Sequence, residues 1–223
     1  MFKLQKFTHI LFLSAFLLPS ILFGQKLGES DLVKGEFQGG LKLGICTSQI
    51  HGDGFGGFNK VGAIGGPFVT TRISDKLKLQ LEMVYCNRGS RDPARPDKGK
   101  YDTYKISAHY IDIPILLKMW IWKFELEAGL NNGVFISHSE SDENGLIPED
   151  LQNVNFSRYE LAANLGVNIE INEKWFSNVR FHYSILPINT EGVQFIPTYG
   201  FAGGAFNNTL MFSINRRFIQ KNQ

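Results

Sequence analysis

Residues 76–85, K-L-K-L-Q-L-E-M-V-Y, decide how this chain folds. Leu77, Leu79, Leu81, Met83 and Tyr85 take one parity, and Lys76, Lys78, Gln80 and Glu82 take the other. That is the two-residue period of a strand with one apolar and one polar face; a helix would scatter the same leucines around its circumference. Two folds use such a strand. In an exported β-sandwich the apolar face packs on a second sheet, and in a transmembrane barrel it meets lipid while the polar face lines the lumen. The connections on either side separate the two.

Read outward from this stretch, the same alternation predicts eight strands: 37–47, 59–72, 76–85, 105–118, 123–137, 156–171, 174–186 and 205–218. Ile111, Ile113, Ile115 and Leu117 repeat the pattern on the fourth, and Leu161, Ala163, Leu165, Val167 and Ile169 on the sixth. Long connections at 48–58, 87–104, 139–155 and 187–204 alternate strictly with short turns at 74–75, 119–122 and 172–173. Outer-membrane barrels have that rhythm, with an even strand count, long loops outside and tight periplasmic turns. A sandwich has no reason to keep its long loops at one end. Trp120, Trp122 and Trp175 fall at the short turns, and Tyr85, Tyr110 and Tyr183 towards the long loops, as two interfacial belts would. The expected fold is all-β, an eight-stranded antiparallel up-and-down transmembrane β-barrel. A barrel of eight strands is filled by its own side chains. Lys42, Lys78, Glu82, Asp112, Lys118, Glu125, Glu127, Glu160, Glu170 and Arg180 share the inward parity and are expected to pair there as a buried charge network.

The chain of 223 residues divides into a leader and one barrel. Lys3 and Lys6, the apolar run Ile10–Leu18 and the region Pro19–Gly24 read as a signal peptide cut after Gly24. Residues 25–36 form a periplasmic leader, 37–218 the barrel and 219–223 a C-terminal tail. Cleavage removes two lysines and leaves 21 basic against 21 acidic residues, so the charge balance gives no reason to expect nucleic acid as a partner. Beyond residue 24 no run is apolar enough to span as a helix, which leaves a barrel as the only way through a bilayer. Cys46 and Cys86 both take the polar parity, with a whole strand between them; the expectation is two free, sheltered thiols.

The segment His109–Lys118, H-Y-I-D-I-P-I-L-L-K, resembles the PorT-like outer-membrane β-barrel family of Bacteroidota-type bacteria, through Tyr110, Asp112, Pro114 and Lys118. G-L-K-L-G at Gly40–Gly44 and L-Q-L-E-M-V-Y-C-N-R-G ending at Gly89 match as well. The resemblance covers the mature chain and implies an eight-stranded outer-membrane barrel. It implies little about activity. PorT itself belongs to type IX secretion, a role that fold-level similarity does not transfer. Pro114 cannot donate to a ladder and marks a bulge or a local break in pairing, its ring turned into the lumen beside Asp112.

Candidate chemistry is sparse. Gly52, Gly54 and Gly57 spell a dinucleotide-type G-x-G-x-x-G without the helix and acid that motif needs, and read as a loop. His182 and Ser184, with Glu160 on the neighbouring strand, could form the histidine–serine–carboxylate set of a lipid A-modifying hydrolase, but their parity turns them away from lipid. Glu140, Asp142, Asn144 and Gly145 match the start of a calcium loop whose final glutamate is replaced by Leu151, leaving a solvated acidic loop. Arg88, Arg91, Arg95, Lys98 and Lys100 make the second loop locally basic and suited to lipopolysaccharide phosphates. No catalytic, cofactor or metal residue is expected. The sequence reads as a monomeric, non-enzymatic outer-membrane barrel with a structural or surface-binding role, in contact with outer-membrane lipid and lipopolysaccharide. A component of a secretion or envelope-assembly complex is the first alternative and the lipid A-modifying enzyme the second.

Overall fold

The computed structural model describes residues 32, 34–152, 154–189 and 204–218; the expected signal peptide and the C-terminal tail lie outside them. Ten strands are present among the described residues: β1 (Phe37–His51), β2 (Lys60–Arg72), β3 (Leu77–Glu82), β4 (Val84–Asp92), β5 (Tyr104–Ile121), β6 (Phe124–Asp142), β7 (Gly145–Leu146), β8 (Tyr159–Glu170), β9 (Trp175–Ser184) and β10 (Phe206–Arg217). β3 and β4 are two halves of one staff and β7 is a two-residue flap on β6, so the wall is a closed antiparallel ring of eight. β1 closes it by pairing with β10 from Gly40↔Arg217 to His51↔Phe206.

The parity holds from Leu77 to Tyr85, while Lys76 is exposed at the turn before β3. Lys78, Gln80 and Glu82 are buried while Leu81, Met83 and Tyr85 are exposed. The same inversion runs around the wall, with Leu43, Ile115, Leu130, Leu165 and Ile214 bare on the outside. An apolar exterior over a polar interior is stable only with lipid outside. Among the described residues no helix is long and apolar enough to cross a membrane; the barrel crosses with strands.

The staff is interrupted at Met83, between two prolines. Pro67 accepts from the Met83 N–H at 3.0 Å on one side. On the other, the pairing of β5 steps from Ile115↔Leu81 to Asp112↔Val84 across Pro114. Pro114 therefore breaks the ladder without shifting it, and it stays in register with Asn131 on β6; the bulge on β5 lies instead between His109 and Tyr110. Glycines shape the inner wall. A Cβ at Gly129 would lie 1.9 Å from the Ile115 carbonyl, and one at Gly44 2.1 Å from that of Phe212, so the sheet folds sharply where these residues sit.

Several strands outrun their expected ends. β4 continues to Asp92 and β6 to Asp142, which moves Arg88 and Glu140 out of the loops and into the barrel, both fully buried. Two aromatics also leave the expected belts. Tyr110 is buried inside the lumen and Trp120 is half-buried on the same inward parity, leaving Trp122 and Trp175 on the outside at the short turns. The leader is tied down at its end. Leu32 is buried, its carbonyl takes a bond from Arg72 Nη1 at 3.4 Å, and Lys34 bridges to Arg72.

Candidate functional site: the filled lumen and its caps

Inward parity places six cations (Lys42, Lys78, Arg88, Lys118, Arg180, Arg217) and six carboxylates (Glu82, Asp112, Glu125, Glu127, Glu160, Glu170) along the lumen, nearly all buried. They pair in tiers. At the short-turn end Arg217 grips Glu170, with Nη1 2.6 Å from Oε2. Lys78 reaches Glu125 at 2.9 Å, and Lys118 lies 3.7 Å from Glu125 and 3.5 Å from Glu127. In the middle tier both terminal nitrogens of Arg180 bond Glu82 at 2.8 Å while Nε bonds Glu127 at 2.6 Å. Lys42 holds the same Glu82 from the other side at 2.8 and 2.9 Å. Above, Arg88 forks onto Asp112 at 2.8 and 2.9 Å and reaches Glu160 at 2.5 Å. Its guanidinium lies 4.0 Å from the Tyr110 ring centroid. Planar forks on carboxylates are the strong form of ion pair, and buried carboxylates need each of these donors.

Glycine makes the room. A Cβ at Gly133 would come within 2.9 Å of Asp112 Oδ1 and 3.1 Å of Arg88 Nη2, and one at Gly166 within 2.6 Å of Glu127 Oε1. Amides complete the shells, with Asn178 and Asn168 donating to Glu127 at 2.9 and 3.0 Å and Asn131 to Asp112 at 3.0 Å. Six cations against six carboxylates leave these tiers, among the described residues, with no net charge.

Described side chains pack together at both mouths. At the short-turn end Phe68 and Phe176 meet edge to face at 5.8 Å, with Arg217 over Phe176 at 4.3 Å. At the long-loop end Ile50, Ile106, Val154, Ile188 and Ala205 form an apolar plug with Tyr104 and Phe156 against it. Glu140 anchors that plug by accepting from the Val154 N–H at 3.0 Å and from Tyr104. Between the mouths Cys46, Ile64, Val84, Cys86 and Met211 form an apolar layer, in which both cysteines are free thiols.

The residues singled out for chemistry fall as follows. His182 Nε2 lies 3.1 Å from Glu160 Oε1, and the Ser184 hydroxyl also donates to Glu160 while accepting from the Asn207 N–H at 3.0 Å. Serine and histidine thus share a carboxylate instead of bonding each other, which is not the relay a serine nucleophile needs. Gly52, Gly54 and Gly57 all have positive φ in the loop between β1 and β2, with no helix after them. The acidic loop folds as the β6–β7 hairpin, with Asp142 accepting from the Asn144 N–H at 2.7 Å. Of the basic loop, Arg91 is exposed, Lys100 pairs with Asp92, and Arg88 belongs to the lumen. Sequence reasoning missed Arg88, Arg217 and the apolar plug. Their parity was the available signal: Arg88 continues Glu82, Val84 and Cys86, and Arg217 continues Ser213 and Asn215.

A lipid-compatible ring of eight strands around a charge-paired interior is the architecture of an outer-membrane β-barrel. The pattern of the outer membrane protein beta-barrel domain family matches residues 23–189, and the chain belongs to that family. No curated protein matches it. Among solved structures it is similar to the attachment invasion locus protein Ail of Yersinia pestis, at 13% identity and TM-score 0.42 over 82% of this chain and 99% of that one. It is also similar to Neisserial surface protein A, at 9% identity and TM-score 0.47 over 81% and 97%. The N-terminal β-barrel domain of Pseudomonas aeruginosa OprF aligns at 10% identity and TM-score 0.36 over 82% and 100%.

Proposed function

We propose that this protein is a closed-lumen, non-enzymatic surface barrel whose work is done by its outer wall and loops. The carrying observation is the lumen: six cations paired with six carboxylates, capped by aromatics at one end and an apolar plug at the other. Water and solutes would have to break buried ion pairs to pass, and removing one partner from such a pair costs about 3–5 kcal/mol. In this reading residues 1–24 export the chain, 25–36 lead into the barrel, and the monomer sits with its long loops outside in contact with lipid and lipopolysaccharide. The PorT-like resemblance around Tyr110–Lys118 belongs to the same reading, because Tyr110 and Asp112 both contact Arg88 in the lumen and Lys118 belongs to the network below.

Recordings on purified protein in planar bilayers test it. The expected trace is silent in 1 M salt at 100 mV, for wild type and for a variant lacking the loop around Gly145. Steady, voltage-independent conductance from wild type would refute the closed lumen. Stable capture with periplasmic secretion proteins after mild solubilisation would move the protein into an assembly complex instead.

A further inference from the structure

The ring is not uniformly zipped. β2 and β4 share two rungs, Ile64↔Cys86 and Gly65↔Tyr85, and towards the long loops Lys60–Ala63 and Asn87–Asp92 share none. The cause is Gly62. With no Cβ there, the Asn87 carbonyl packs where a side chain would stand, 1.7 Å from the ideal Cβ position. β4 consequently bows inward and spends its backbone groups on β1: Cys46 Sγ donates to the Asn87 carbonyl at 3.3 Å, and the Gly89 N–H donates to Ser48 Oγ at 2.9 Å. The bow leaves a seam in the wall beside β2.

Lys60 fills that seam and is only 3% exposed. Its ammonium donates to Asn87 Oδ1 and to the Val61 carbonyl at 2.9 Å, two neutral acceptors for three N–H donors. Every cation of the charge tiers has a carboxylate; Lys60 has none among the described residues, and the titratable groups near it include Lys105 and His109. His109 is pinned on the outer wall, with Nδ1 2.6 Å from Tyr85 Oη and the Asn87 amide 3.3 Å away. Further out, Arg91 stands directly opposite Lys105. Like charges opposed across two strands repel. That pair lies four residues beyond the Asn87–His109 pair, roughly 13 Å along the strand at about 3.3 Å per residue. The Tyr85–His109 stack marks the aromatic girdle, and lipid headgroups lie just beyond such a girdle.

We propose that this unpaired seam between β2 and β4 binds the phosphorylated headgroup of an outer-leaflet lipid, with Lys60 as the buried anchor of one phosphate, Asn87 and His109 as further donors to it, and Lys105 with Arg91 as the rim that holds a second. One phosphate supplies the charge and acceptors that Lys60 lacks, and a second on the same headgroup, about 13 Å further out, relieves the Arg91–Lys105 repulsion. The acyl chains of the same lipid lie on the bare apolar wall at Met83 and Ile113. The inference rests on the membrane orientation given above, with long loops outward.

The test uses purified full-length protein in dodecyl maltoside micelles and reads the temperature at which the folded gel band converts to the unfolded one. The additives are lipid A carrying phosphate monoesters, the same lipid with its phosphates removed, and inorganic phosphate at equal concentration. Phosphorylated lipid A is expected to raise the midpoint by several degrees. Arg91→Ala with Lys105→Ala, both on the exposed rim, is expected to weaken the half-saturating lipid concentration at least tenfold, and Lys60→Met to abolish the shift. An equal shift from dephosphorylated lipid would overturn the phosphate site, and an equal shift from inorganic phosphate would overturn the lipid as its source. No shift, or a shift untouched by the rim variant, overturns the site altogether. A normal folded band in every sample keeps failure of the site distinct from failure of the barrel.

Discussion

Removing the Arg180 side chain tests the lumen's energetics where three charges converge. Arg180→Met keeps most of the volume but withdraws two bonds of 2.8 Å from Glu82 and one of 2.6 Å from Glu127. Glu82 then keeps Lys42 and Gln80, while Glu127 keeps Lys118 at 3.5 Å and two amides. One of two carboxylates becomes a buried charge without a full partner, and breaking such a pair costs about 3–5 kcal/mol. Neutralising Glu82 as well should return much of that loss, so Arg180→Met with Glu82→Gln should be less damaging than the sum of the single changes by at least about 2 kcal/mol. Urea titration of protein folded in lipid vesicles, followed by the emission of Trp122 and Trp175, measures all four corners of the cycle. A loss under about 1 kcal/mol for Arg180→Met, or strict additivity, would refute the claim that the network is a mutually dependent buried cluster.

Three further outcomes follow from the same structure. Gly166→Ala should cost about 1–3 kcal/mol in the same titration, because its Cβ meets Glu127 Oε1 at 2.6 Å and the Val179 carbonyl at 2.8 Å. Gly56→Ala, whose Cβ meets nothing within 4 Å, should stay within about 0.5 kcal/mol; equal effects would show the inner wall has slack. Burial pushes the Asp53 carboxyl in the first loop up to about 6. The folded loop therefore binds this proton more tightly than the open loop does, so loop stability is greatest below about pH 4, falls as pH rises to 6 and is flat above. Asp53→Asn removes the dependence and stabilises the loop at pH 7.5 by at most about 3 kcal/mol, reduced to about 1–2 by residual solvent access, which hydrogen exchange of residues 52–58 reads; greater wild-type protection at pH 7.5 than at pH 5 would contradict it. Free thiols at Cys46 and Cys86 should resist a hydrophilic maleimide in the folded barrel and both react after boiling, and mass spectrometry showing either modified in the folded state would contradict their burial.

Much of the wall was legible because alternation is a local signal. Leu77, Leu79 and Leu81 disclose their face within a few residues, and the inward partners Lys42, Glu82, Glu127 and Arg180 follow by parity alone. Pairing partners are another matter. Arg180 meets Glu82 only because β9 and β3 face each other across the lumen, 98 residues apart in sequence. Arg88 was hidden by chemistry, since Arg88–Asp92 is polar on both parities and looks like loop until β4 is seen continuing through it. The outer plug was hidden too, because Val154 and Ile188 sit in loops with no period, and only their convergence over the mouth makes them a core. The seam at Gly62 depends on one missing Cβ, which carries no periodic signal.

The central claim is that the apolar face of residues 76–85 meets lipid while the polar face packs a closed lumen. Heat-modifiability of the membrane fraction tests it most directly, comparing gel mobility before and after boiling for wild type and Leu81→Arg. Wild type should migrate as a compact band that shifts only on boiling. Leu81 is 44% exposed on the outer wall, and arginine there costs about 2–4 kcal/mol at mid-bilayer, so the variant should lose the compact band. Recovery of wild type from the soluble periplasmic fraction with no mobility shift, or a Leu81→Arg protein that assembles as wild type does, would contradict the account.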